Sequence, residues 1–264
     1  MRILFFWLFV FSYPALAEPL FPNSVVSNDL RFIKPTDENA FGCLAFTGLA
    51  NKEMPGQASG ELFANDTRVF EAKYRDGTGV GIWVHPDIGN RAASAEIAKT
   101  VAKPLGHLPT LMRRKLSHVI IQKGDDTAFS EHRGHFFVLY DANIAKRLRT
   151  NDLPHTIFHE SVHATLDADL GTTRAWKQAQ ESDGAFVTDY AARAFGYSGQ
   201  NTYSEDMAES ALFAWAVLRH PGRLPSKIEQ AVKNIMPARL TYFDALFGPG
   251  QPLFSPVAAF RGCG

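Results

Sequence analysis

The chain has 264 residues, 45% apolar and 20% charged, which supplies a core for one large or two small domains and excludes disorder as its main state. Lys and Arg number 27 against 27 Asp and Glu, so no global field draws the chain to nucleic acid or to an anionic membrane.

The chain opens with Arg2, the apolar run Ile3 to Phe11 and the small-x-small site Ala15-Leu16-Ala17, the pattern of a signal peptide. The expectation is cleavage after Ala17 and a secreted or periplasmic protein. The apolar run is too short for a span of about 20 residues, so no stable membrane anchor is expected after cleavage. Two cysteines, Cys43 and Cys263, lie near opposite ends of the mature chain. In an exported protein such a pair reads as a disulfide, which on the chain-entropy model contributes roughly 4 to 5 kcal/mol.

Residues 18–60, rich in Pro, Asn and Gly, read as an irregular lead-in. Arg68 to Tyr74 and Gly79 to His85 flank the turn signal Arg75-Asp76-Gly77 and predict a β-hairpin. Ala92 to Val101 has helical spacing, with Pro104-Leu105-Gly106 as its stop, and Pro109 to Leu116 reads as a shorter helix. His118 to Gln122 and His135 to Tyr140 read as strands joined by an exposed loop, Lys123 to Gly134. His132, Arg133 and His135 are assigned to that solvated loop region. Asp141 or Asn143 suits the cap of a short helix to Leu148, and Asn151 or Asp152 the cap of the next.

That next helix carries His159-Glu160-Ser161-Val162-His163. Residues four apart share a helix face, so two imidazoles can grip one metal ion. Glu160 stands at the edge of that face, where a carboxylate reaches water beside the metal. Zinc with catalytic ability needs a third protein ligand and an open position. Leu166 stands where a backbone-turning glycine would be needed for a near ligand, so the helix is expected to run on. Asp167, one turn past His163, then supports a ligand rather than acting as one. His155, after Pro154, is expected at the surface.

Thr173 to Gln180 reads as helix, broken at Ser182-Asp183-Gly184, and 185–203 as a turn-rich connection. Helices follow over Ser204 to His220 and Ser226 to Ile235. The first of these is nearly all apolar, yet it carries Glu205 and Glu209. Carboxylates on a buried helix need a cation or hydrogen-bond donors. Either acid suits a metal, and a capping box from Thr202 explains only Glu205.

The string H-E-S-V-H-A-T-L-D, together with E-D-M-A-E-S downstream, resembles the metallopeptidase domain of the anthrax lethal factor group, which includes proline-specific secreted endopeptidases. The resemblance covers roughly Leu105 to His220. It implies Glu205 as the third zinc ligand, Glu209 as a supporting acid, and a tyrosine upstream that stabilises the oxyanion. Tyr190 matches that tyrosine's setting, but its interval to Glu205 exceeds the family pattern, as an insertion over Ala194 to Thr202 would explain. Tyr197 and Tyr203 stay open as alternatives.

The expected fold is α+β, a small mixed sheet followed by a helical zinc-metallopeptidase subdomain with a gluzincin-like active-site helix. Residues 61–247 form the catalytic domain and 248–264 a C-terminal tail. The expected activity is hydrolysis of a peptide or protein substrate through one zinc-bound water, with Glu160 as general base and His159, His163 and Glu205 as ligands. The alternative is a non-catalytic cell-envelope binding protein that keeps the fold, although such a protein has no need of Glu160.

Overall fold

The computed structural model describes residues 18–27, 30–57, 62–197, 204–257, 260, 262 and 263. The expected signal peptide, residues 1–17, lies outside them. Among the described residues no helix is long and apolar enough to cross a membrane.

Six strands form one open mixed sheet in the order β1-β2-β3-β4-β6-β5. These are β1 (Phe41–Glu53), β2 (Phe63–Tyr74), β3 (Gly79–Val84), β4 (His118–Gln122), β5 (Phe129–Glu131) and β6 (Phe136–Tyr140). The expected hairpin is β2 and β3, antiparallel with Arg68 opposite Val84. From β3 the chain crosses through α1 (Arg91–Leu105) and α2 (Thr110–Arg113) to reach β4, which runs parallel to both β3 and β6. A parallel neighbour requires such a crossover, because a tight turn can join only antiparallel strands. Every residue of β4 is buried. Its side chains alternate, so Val119 and Ile121 enter the main core with the helices while Ile120 joins Met54, Ala64, Val138 and Tyr140 on the opposite face.

Two expectations about irregular segments are corrected. The lead-in 18–60 contains β1, a 13-residue edge strand paired along β2. Gly42, Gly48 and Asn51 hide it in the sequence, and register shifts at Phe41/Cys43, Phe46/Gly48 and Ala50/Lys52 absorb the interruptions. The loop Lys123 to Gly134 contains β5, which pairs antiparallel with β6 and leaves its other side as the sheet's edge.

After β6 the chain is helical. α3 (Asp141–Arg149) is followed by α4 (Leu153–Val162), a π-helical stretch His163–Asp167 and α5 (Ala168–Leu170). This continuous helix does run on past Leu166, and it stops where any side chain at Gly171 would collide with Asp167. Then come α6 (Arg174–Asp183), α7 (Asp189–Tyr197), α8 (Ser204–Arg219), α9 (Ser226–Ile235) and α10 (Pro237–Phe247). α7 replaces part of the expected turn-rich connection, and α10 has no counterpart in the elements read from the sequence. α4 is buried on nearly all sides, between the sheet and α8. Cys43 and Cys263 are bonded, with Cα atoms 5.8 Å apart, which ties the tail to β1. The tail also donates from Val257 N to Arg75 O at 2.8 Å, so it belongs to the body of the fold.

Candidate metal centre

Three nitrogen and oxygen atoms converge where α4, the π-helical stretch and α8 meet. His159 Nε2 and His163 Nε2 are 3.2 Å apart, and Glu205 Oε2 lies 3.6 Å from the first and 3.3 Å from the second. The helix places the two imidazoles on one face, and the packing of α8 against α4 brings the carboxylate from 42 residues downstream of His163. These are the three expected ligands, together in one cluster.

The electrostatics of the cluster fit a cation. Glu205 Oε2 is buried and has no hydrogen bond of good geometry, and it forms a near-equilateral triangle with the two ring nitrogens. A buried acceptor without a donor costs about 1 to 3 kcal/mol, which a bound divalent ion relieves. Burial alone would raise Glu205, but His163, then His159 and the Tyr190 hydroxyl, hold it down at about 2. Burial likewise opposes the charge on His163, yet the Asp167 and Glu205 carboxylates hold its imidazolium well above the ordinary range. Two imidazoles and a carboxylate are the donor set of a zinc site.

The supporting acids take different positions. Asp167 Oδ2 lies 3.4 Å from His163 Nδ1 and also 3.4 Å from His132 Nε2, so it spans two imidazoles. Those three residues make a second cluster able to hold a cation, which shares His163 with the first. Glu209 is fully buried, and its Oε1 lies 3.3 Å from His159 Nδ1. Ser24 Oγ and the Val25 amide donate to this carboxylate, each at 2.6 Å, and the Thr188 hydroxyl also bonds it. Burial pushes the Glu209 carboxyl up to about 7.

Glu160 is held by Ser130 of β5, whose hydroxyl is 2.7 Å from Glu160 Oε2 and 2.9 Å from the Glu160 carbonyl. Burial raises its carboxyl above the ordinary value, against the charge of His163. Ser130 escaped sequence reasoning, because three residues within a polar loop carry no strand period. Tyr190, in the first turn of α7, keeps its hydroxyl within hydrogen-bonding reach of Glu205. The Tyr197 side chain and all of Tyr203 lie outside the described residues. Of the insertion expected over Ala194 to Thr202, residues 194–197 continue α7 and the remainder also lies outside.

Two histidines depart from expectation. His155 is not at the surface; it is 1% exposed, and its Nε2 accepts from the Phe32 and Ile33 amides at 3.1 and 3.2 Å. His135 lies in the turn before β6 as expected but is half-buried rather than solvated, with its Nδ1 2.8 Å from Ala164 O. His132 and Arg133 are exposed, as expected.

Burial, then the charge of Arg31, lowers His155 to about 3, and burial, then the charge of His163, lowers His159 to about 3. In the unfolded chain both take a proton near about 6.5. The sign follows from proton uptake. Below about pH 6.5 the unfolded chain binds protons that the folded chain refuses, so this contribution is full above that pH and is lost as pH falls towards about 3. Each such histidine adds a slope of about 1.4 kcal/mol per pH unit within that window. Denaturant unfolding of metal-free protein from pH 7 to 4 is expected to show falling stability, with a shallower slope in His155→Leu; parallel slopes would contradict the assignment.

Comparison with protein-family models, with curated proteins and with solved structures finds no match to this chain.

Proposed function

We propose that the chain is an exported zinc-dependent peptidase, as the resemblance to the lethal factor group implies. The observation that carries this reading is the convergence of His159 Nε2, His163 Nε2 and Glu205 Oε2 beside Glu160, a buried carboxylate that ligation does not require. His159, His163 and Glu205 would hold the ion. Zinc, when bound, supplies a Lewis acid for the scissile carbonyl and lowers the pKa of water towards about 7.

The chain's own residues then have distinct tasks. Glu160 Oε2, its pKa raised by burial, takes a proton from the attacking water and passes it to the leaving amine. Ser130 orients that carboxylate through its 2.7 Å hydrogen bond. Tyr190 donates its hydroxyl proton to the developing oxyanion, the role the resemblance assigns to it. Its hydroxyl is raised above the ordinary tyrosine range by burial, then by Glu205 and Glu160, so it remains protonated and able to donate. β5 runs beside the π-helical stretch and α4, and its unpaired side suits an extended peptide, which adds to a sheet by main-chain hydrogen bonds.

Metal analysis tests the ligand set. The full chain is expected to hold one zinc ion, and His163→Ala to lose it. At a free zinc concentration about 1,000 times the Kd, uptake stabilises the fold by about 4 kcal/mol, seen as a higher thermal midpoint than in chelator. Equal zinc content in wild type and His163→Ala would exclude this ligand set.

A further inference from the structure

Two of the groups that hold Glu209 come from the other end of the chain. Ser24 Oγ donates to Glu209 Oε1 at 2.6 Å, and the Val25 amide donates to Oε2 at 2.6 Å. Oε1 is also the atom 3.3 Å from His159 Nδ1. One carboxylate oxygen therefore stands between Ser24 and the ring of His159, close to a buried Nδ1 that makes no hydrogen bond of good geometry, on the side opposite the nitrogen that faces His163 and Glu205.

The segment around Ser24 is anchored beside the centre rather than merely touching it. Phe21 bridges Thr188, with its amide donating to Val187 O at 3.1 Å and its carbonyl accepting from Asp189 N at 2.8 Å. Its ring stacks on Phe213 of α8 with centroids 4.9 Å apart, and Val25 is 1% exposed. The arm thus grips the start of α7, which bears Tyr190, and the middle of α8, which bears Glu205 and Glu209.

We propose that this arm, Phe21 to Val25, is a positioning element of the metal centre, and that Ser24, acting through Glu209, sets the orientation of His159 and hence the affinity for zinc. The inference rests on the reading of His159, His163 and Glu205 as zinc ligands. A carboxylate beside a ligating imidazole fixes the ring's orientation only if the carboxylate is itself fixed. The Ser24 hydroxyl, the Val25 amide and the Thr188 hydroxyl together hold the Glu209 carboxylate, and loss of Ser24 Oγ removes a donor from the oxygen that faces His159. Loss of an outer partner of this kind typically weakens metal binding about 10- to 100-fold.

The test measures zinc affinity of the full chain by competition with a chromophoric chelator, alongside the thermal midpoint of each metal-free protein. Ser24→Ala is expected to bind zinc about tenfold or more weakly than wild type, with its metal-free midpoint close to wild type. Ser24→Thr keeps the hydroxyl and is expected to restore the affinity. Phe21→Ala, which loosens the arm without touching Glu209, is expected to weaken zinc as well, and it decides the question should Ser24→Ala fail to fold. Wild-type affinity in a folded Ser24→Ala, or in Phe21→Ala should Ser24→Ala fail to fold, overturns the arm's role, as does equal weakening in Ser24→Ala and Ser24→Thr. A wild type that takes up no zinc overturns the ligand reading and the arm's role together. Zinc bound by wild type, lost in His159→Ala and unchanged in Ser24→Ala overturns the arm's role alone.

Discussion

Replacing Glu160 by Gln is expected to lower turnover of a peptide substrate by about a hundredfold to ten-thousandfold, the range a positioned acid or base supplies, while zinc stays bound. Gln keeps the size of Glu160 and can still accept from the Ser130 hydroxyl, now 2.7 Å from Oε2, so the site keeps its shape. What it loses is the proton acceptor. The folded chain should not lose stability, because a buried carboxylate whose pKa is raised by desolvation is costly to keep and the neutral amide is not. Activity falling while stability holds or rises separates a catalytic carboxylate from a structural one. Turnover by zinc-loaded Glu160→Gln equal to that of wild type would remove Glu160 from the mechanism.

Replacing Arg239 by Ala is expected to destabilise the fold by about 3 to 5 kcal/mol. Arg239, on α10, is fully buried and pairs with two acids whose side chains are fully covered, Asp183 through Nε at 2.8 Å and Asp206 through Nη1 at 2.5 Å. Its Nη2 also donates to Ala185 O at 2.5 Å. Without the guanidinium both acids remain in the core with amide and hydroxyl donors only, Gln180 and Ser210 on Asp206 and backbone amides on Asp183. Asp206 adjoins Glu205, so the first turn of α8, and with it the proposed third ligand, loses its anchor. Urea unfolding of the metal-free protein checks this: a lower midpoint with an unchanged slope is expected, and an unfolding free energy within about 0.5 kcal/mol of wild type, the spread of surface substitutions, contradicts it.

The metal helix was legible because its information is local. His159, Glu160 and His163 declare themselves by a spacing that any helix converts into one face. Glu205 and Glu209 are legible for a related reason, as acids on a helix whose other positions include Met207, Leu212, Phe213 and Trp215. The hairpin and the strand His118 to Gln122 were legible from β-branched runs and one turn signal. Parts of the centre that depend on distant segments carried no such mark. Ser130 acquires its partner only because β5 pairs with β6 and lies over α4. His155 is buried by two amides of the lead-in, from Phe32 and Ile33. Strand β1 has the glycines of a loop and becomes a strand by pairing with β2. α7 and α10 are short helices whose stability comes from packing rather than propensity. The π-helical turn at His163 to Asp167 has no sequence pattern at all, yet such turns recur at functional sites.

The reading as a peptidase meets its most direct test in digestion of a peptide library by the zinc-loaded full chain, with products identified by mass spectrometry. The expected result is a discrete set of cleaved peptides that disappears in chelator and with Glu160→Gln. A library left intact by protein that holds one zinc ion through His159, His163 and Glu205 would contradict the peptidase reading and favour a protein that keeps the metal centre for binding alone.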